Sequence, residues 1–346
     1  MKAALLYGKE DLRIEEVPTP RIDENEVLLK VKAGLICGTD VRMFKGGHKD
    51  ASESDPLVLG HEFSGIIEKV GSQVRGYSEG MKVAVAPNMG CGTCDYCVSG
   101  NTQLCEVRFR AFGINIPGAL AEYVKIPEDA VRQGNMVTLG GATFEEAAMA
   151  EPLSCVYNAF ERYGVNPAET VLIVGSGPIG IMHGKMAKLA GAANVIINDI
   201  SRERLDLCKE VDDSFILAEG DEVRKISDEL TGGKGVDVVV TAAPSPEAQI
   251  MALELCAMNG RVSFFGGLPK DRQNVPVNTN LIHYKQITVT GTTRQSLEQY
   301  RKTLKMIATG VIDVKPLVTD TYSLDTMVDA FAKIKEGRGI KHAVIL

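Results

Sequence analysis

The chain has 346 residues, enough for two domains that each bury a core of their own. Its composition, 45% hydrophobic and 24% charged, is that of an ordinary globular protein. The formal net charge of -7 argues against a nucleic-acid partner, which needs clustered Lys and Arg. No run of ~18 apolar residues occurs, so neither a membrane span nor a membrane partner is expected.

Taken in chain order, the first third alternates short strand-like runs with turn residues. Glu26–Ala33, Gly65–Gly71 and Met81–Val85 are examples, and they read as a β-rich domain. From about Cys155 the texture changes to strands alternating with helical stretches. Val171–Val174 reads as a buried strand, residues 178–190 as a helix, Asn194–Asn198 as the next strand, and a charged helix starts at Ser201. Val236–Val240 and Arg261–Phe265 continue the series. Such alternation predicts a doubly wound parallel sheet, hence an α/β chain. After about residue 290 the pattern ends in helices and a final strand, Ala343–Leu346, which is not another βα unit.

Four of the eight cysteines fall in one short loop: Cys91, Cys94, Cys97 and Cys105. Thiolates at this C-x2-C-x2-C-x7-C spacing can close a tetrahedral shell around zinc and leave no open coordination position. Disulfides are the alternative. Nothing else looks secreted, however. The segment Met1–Tyr7 lacks the apolar core of a signal peptide, and Cys37, Cys155, Cys208 and Cys256 are scattered like free thiols. A cytoplasmic protein is expected.

Gly175-Ser176-Gly177-Pro178-Ile179-Gly180 is a G-x-G-x-x-G motif that follows a strand and opens a helix. Gly175 allows the tight turn, Gly177 lets a pyrophosphate approach the backbone, and Gly180 allows close helix–strand packing. The helix start offers free N–H groups to phosphates. Asp199 ends the following strand. A carboxylate there accepts hydrogen bonds from both ribose hydroxyls and repels a 2′-phosphate, which favours NAD over NADP. Arg202 and Arg204 are candidates for stacking on adenine, or are solvated helix residues.

A second set of zinc-type ligands is dispersed: Cys37 in Cys37-Gly38-Thr39-Asp40, His61 and Glu62 after Gly60, and Glu151 before Pro152. Three such ligands plus water would make an open, catalytic site. No pair has diagnostic spacing. Composition alone would make His61 a satisfied structural histidine.

The run Gly60-His61-Glu62-x2-Gly65-x5-Gly71-x2-Val74 resembles the signature of the zinc-containing medium-chain alcohol dehydrogenases. The Cys37 motif, this signature, the four-cysteine loop, Glu151 and the glycine motif follow one another in that family's order. Within that family the chain most resembles the sorbitol (polyol) and threonine dehydrogenase branch, and Thr292-Thr293-Arg294 with Val314–Val318 resembles sorbitol dehydrogenases in particular. The resemblance implies a GroES-like catalytic domain, residues 1–152 and 290–346, and a Rossmann NAD-binding domain, residues 153–289. It implies two zinc ions per chain. Catalytic zinc would sit on Cys37 and His61. Glu62 would be a third ligand or exchange with water, and Glu151 would ligate the metal or hold its water. Cys91, Cys94, Cys97 and Cys105 would hold a structural zinc. Thr39 would hydrogen-bond the substrate hydroxyl and pass its proton outward, and Arg294 would meet polyol hydroxyls or a terminal group. NAD would bind Gly175, Gly177, Pro178, Ile179, Gly180, Asp199 and Arg204. The implied activity is hydride transfer from a secondary alcohol, a polyol with or without a phosphate, to NAD. The family's assemblies are homodimers or homotetramers.

In one place the chain departs from many relatives. A histidine five residues after the zinc cysteine is their last proton-relay member, and here that residue is Arg42. Arginine cannot be deprotonated at working pH. Arg42 could instead bind an anionic group, or lie on the surface, and His48 is a nearby substitute. Phe44, Phe109 and Phe112 are pocket-lining candidates or core residues. Two other functions are compatible with the motifs: an L-threonine 3-dehydrogenase, and a non-catalytic NAD-binding regulator.

Overall fold

The structure is a computed structural model that describes all residues, Met1–Leu346. The chain divides into two compact units: Met1–Ser154 with Gln295–Leu346, and Cys155–Arg294.

The first unit is built on a seven-stranded sheet. Its main path runs Met136–Thr138, Lys82–Val85, Glu62–Val70, Val27–Ile36, Lys341–Ile345, Val318–Tyr322, and Tyr123–Ile126 pairs with Val27–Ile36 off that path. The central strand shows why. Val27, Leu29 and Val31 alternate onto one face and are fully buried with Phe63, Ile67, Val83 and Phe112. A second cluster joins Leu6, Ile36, Leu57 and Leu120 to Met327, Phe331 and Val344 from the returning tail. The strand Val318–Tyr322, which pairs parallel to Lys341–Ile345, is absent from the sequence reading. Its alternation Val-Thr-Asp-Thr-Tyr carries no apolar run to mark it.

Register in this sheet brings distant residues together. Glu62 is paired with Leu35 on one side of the central strand. On the other side His342 is paired antiparallel with Ile36. Continuing that register by one residue sets Lys341 opposite Cys37, just past the strand's end. Thus the end of one strand and the starts of its two neighbours deliver Cys37, Glu62 and Lys341 to one edge.

The second unit is a six-stranded, all-parallel sheet. In space the order is Ile216–Glu219, Asn194–Asp199, Thr170–Val174, Val236–Thr241, Cys256–Phe264, Thr288–Gly291. Numbered along the unit this is 3-2-1-4-5-6, the doubly wound Rossmann order. Thr170–Val174 is buried along its whole length, as expected of a strand covered on both faces. The edge strands Ile216–Glu219 and Thr288–Gly291 are additions to the sequence reading. Both are short and carry polar residues. No helix is long and apolar enough to cross a membrane.

Candidate metal centres and dinucleotide site

The cysteine loop forms one compact cluster. The four sulfurs of Cys91, Cys94, Cys97 and Cys105 all lie within 4.8 Å of one another. Cys91 and Cys97 are 3.9 Å apart at sulfur, as are Cys94 and Cys105. Zn–S bonds of about 2.3 Å set tetrahedral sulfurs about 3.8 Å apart, whereas a disulfide needs about 2.05 Å. All eight cysteines are free. Backbone N–H groups of Thr93 and Cys94 donate to Cys91 Sγ at 3.4 and 3.3 Å, and that of Cys91 donates to Cys105 Sγ at 3.2 Å. Hydrogen bonds from the Thr93 hydroxyl and these N–H groups hold the Cys91 thiol down at about 5. Burial pushes the neighbouring Cys97 thiol the other way, up to about 12, so it is the spacing of the four sulfurs that fits zinc.

The second cluster has a mixed donor set. Ligand atoms of Cys37, His61 and Glu62 all lie within 4.8 Å of one another. Cys37 caps the helix Gly38–Gly46, and Asp40 Oδ2 accepts from the Cys37 backbone N–H at 2.8 Å. The other oxygen, Asp40 Oδ1, faces His61 Nδ1 across 3.6 Å. One buried carboxylate thus holds the cysteine backbone and places its second oxygen opposite the imidazole, without a hydrogen bond to it. Burial disfavours a charged His61, but Cys37 and Asp40 beside it outweigh that and hold the ring well above its ordinary value.

Glu151, in the first turn of the helix Ala150–Tyr163, stands beside this group rather than in it. Gln295 Nε2 donates to Glu151 Oε1 at 3.1 Å. Burial and the neighbouring Glu62 push Glu151 up to about 7, against the pull of His61 and Lys341. Tyr300 is fully buried near both glutamates, and its hydroxyl makes no hydrogen bond. Lys341 Nζ lies 2.8 Å from Glu62 Oε1 and 2.6 Å from Oε2. Burial works against the Lys341 ammonium, but Glu62 and Cys37 outweigh it and keep the group charged. Asp40 and Glu62 are buried carboxylates beside a thiol and the raised Glu151, and they face Lys341 and the His61 ring. A divalent cation on Cys37, His61 and Glu62 fits these donors.

Asp40, Gln295, Tyr300 and Lys341 are the residues that sequence reasoning missed. A lysine opening the apolar run His342–Leu346 was the signal available for the last. Of the expected residues, Thr39 is half-exposed on the helix Gly38–Gly46, and its Oγ1 accepts from Arg42 Nη2 at 2.9 Å. Arg42 is therefore tied to the relay hydroxyl although its side chain is exposed. His48 turns to its own loop, where Nδ1 accepts from the Asp50 N–H at 3.3 Å. Phe44 packs on Phe331 and Phe112 on Phe63, edge to face in the core.

Arg294 closes the second unit in a left-handed conformation, φ 57°. Its backbone oxygen accepts from Asn158 Nδ2 at 2.8 Å, and its side chain is exposed with Cys155 nearby. In this unit the glycine motif turns as expected. Gly175 has φ 112°, and a Cβ on Gly180 would overlap the Gly175 carbonyl oxygen. Pro178 and Ile179 open the helix Pro178–Leu189. Asp199 Oδ2 accepts from the Ser176 N–H and hydroxyl at 2.9 and 2.8 Å. Arg204 lies over the turn, with Nη2 3.4 Å from the place of a Gly177 Cβ. A cleft of about 380 Å³ follows, lined by Gly175, Asp199, Ile200, Arg224, Ser245 and Met251 among others.

Comparison with known proteins agrees with this architecture. The family description "Alcohol dehydrogenase GroES-like domain" matches residues 23–135, and "Zinc-binding dehydrogenase" matches residues 178–309. The chain belongs to the zinc-containing medium-chain alcohol dehydrogenases, and it is an oxidoreductase of alcohols. Within the family it falls in the polyol and threonine dehydrogenase branch. It is 35% identical to the sorbitol dehydrogenase of Bacillus subtilis, covering 96% of this chain and 93% of the relative. It is 33% identical to the L-threonine 3-dehydrogenase of Bacillus licheniformis, covering 96% and 94%. A zinc-binding dehydrogenase of Sinorhizobium meliloti 1021, solved with NADP, superposes with a TM-score of 0.89 at 29% identity, over 100% of this chain and 99% of the other.

Proposed function

We propose that the protein oxidises a secondary alcohol of a polyol, with or without a phosphate, to the ketone and passes the hydride to NAD. The observation that carries this reading is the open cluster of Cys37, His61 and Glu62, with Glu151 beside it and Asp40 behind it. Zinc supplies Lewis-acid polarisation of a substrate oxygen when bound there, and the nicotinamide supplies the hydride acceptor. A second zinc on Cys91, Cys94, Cys97 and Cys105 holds the loop.

Thr39 handles the proton. Its oxygen already accepts from Arg42, so one lone pair remains to take the substrate hydroxyl proton while its own proton leaves on the other side. Arg42 carries no proton away, so release from Thr39 goes to water. Glu151, held by Gln295, positions water or a substrate hydroxyl, and Arg294 meets the remaining hydroxyls. Gly175, Gly177, Pro178, Ile179 and Gly180 receive the pyrophosphate with Arg204 over the turn. Asp199 receives the ribose hydroxyls, which supports NAD over NADP.

Eight free cysteines support a reducing, cytoplasmic setting. The edge strand Thr288–Gly291, largely exposed and free of charged residues, supports a homodimer or homotetramer. A relative named for L-threonine favours that amino acid as the second reading. NAD reduction with a panel of polyols, polyol phosphates, simple secondary alcohols and threonine decides between them. A polyol is expected to give the highest kcat/KM. Turnover of threonine alone would shift the assignment, and no turnover of any alcohol would favour a regulator.

A further inference from the structure

Glu62 has two possible cation partners. It is fully buried, it stands in the donor group with Cys37 and His61, and Lys341 grips it through both oxygens at 2.8 and 2.6 Å. Lys341 is itself only 4% exposed and is fixed by strand register opposite Cys37. An ammonium in this place cannot swing into solvent. An ion held with Cys37 and His61 would therefore share this carboxylate with a fixed ammonium.

We propose that Lys341 is a positioning residue that competes with the metal for Glu62, and so keeps one coordination position open for the substrate oxygen. This rests on reading Cys37, His61 and Glu62 as the open zinc site. The physical reason is charge balance. A buried carboxylate needs a cation, and the lysine supplies it whether or not the metal takes part. Without Lys341, only the metal remains to neutralise Glu62. The carboxylate then joins the shell, the ion is held more firmly, and the substrate must displace a ligand.

The test follows transfer of zinc from the purified enzyme to a coloured chelator, in parallel with kcat/KM. Wild type should release two zinc ions in separate phases, the cysteine-loop ion being the slower. Lys341→Met should slow the faster phase tenfold or more and lower kcat/KM by a similar factor. Lys341→Arg, which keeps the cation, should restore both. Zinc release that is unchanged or faster in Lys341→Met would overturn the proposal, since a merely structural lysine would loosen the site. Should Lys341→Met not fold, the charge-neutral double variant Glu62→Gln/Lys341→Met remains. Its faster phase should stay within threefold of wild type, because Glu62 contributes little while the lysine holds it. A tenfold acceleration would make Glu62 a full ligand and overturn the idea. Wild type that holds one zinc only would instead remove the metal-site reading itself.

Discussion

His61 and His183 are both buried, 7% and 0% exposed, yet their surroundings drive them in opposite directions. His183 sits in the second unit among aromatic rings. Its Nδ1 is 3.0 Å from the Tyr163 hydroxyl, and Phe265 packs edge-on at 4.9 Å. Burial without a charged partner takes it down to about 3, so it is a neutral core side chain. His61 sits in the first unit between Cys37 and Asp40, which attract positive charge strongly enough to reverse the effect of burial. Burial alone therefore does not separate a structural histidine from a ligand. The charge of its neighbours does.

Removing each ring separates the two histidines most strongly. His61→Ala is expected to lower kcat by on the order of 10³-fold, equivalent to several kcal/mol of lost electrostatic catalysis. His183→Gln is expected to leave kcat within a few-fold. Equal losses in steady-state assays would erase the distinction. Next in size is Asp40→Asn, which removes the anion behind His61 and Cys37. Zinc retention or activity should fall by about 10–100-fold, as for other groups that orient metal ligands. A change under twofold would mean that the 3.6 Å approach has no orienting role.

The acid response sharpens the comparison from the other side. Folded His183 stays neutral down to about 3, whereas in the unfolded chain it takes up a proton below its ordinary 6.5. Its contribution is therefore fully present above pH 6.5 and is lost as pH falls toward 3. From pH 6.5 to 5 the loss is about 2 kcal/mol. Thermal melts across this range should show a shallower acid slope for His183→Gln than for wild type, and parallel slopes would contradict the assignment. Smallest is Asp199→Gly, at a partly exposed carboxylate that lines the cleft beside the glycine turn. It should shift the NAD-to-NADP ratio of kcat/KM about tenfold toward NADP, or ~1.4 kcal/mol. An unchanged ratio would remove Asp199 from the cofactor assignment.

Legibility in the sequence followed the range of the interactions. The four-cysteine loop and the glycine motif are local, so spacing alone displays their geometry. Thr170–Val174 and Asn194–Asp199 were visible because a strand buried on both faces is an unbroken apolar run. Ile216–Glu219, Thr288–Gly291 and Val318–Tyr322 were not, because half-exposed edge strands mix polar residues into short segments. The open cluster is the extreme case. Cys37, Glu62 and Lys341 meet through the register of three strands, and Gln295 reaches Glu151 from the returning tail. No spacing rule spans such distances. Only the resemblance to a family pointed to His61 and Glu62, nothing pointed to Asp40, and the one signal for Lys341 was a lysine opening the final strand.

On the proposed reading, one unit holds a closed and an open zinc site built from separate residues. Metal analysis of wild type beside Cys37→Ser tests it most directly. Two zinc ions per chain are expected in wild type, and one in the variant, with NAD-linked polyol oxidation lost and the fold retained. A single zinc in wild type, or two in an active Cys37→Ser variant, would contradict it.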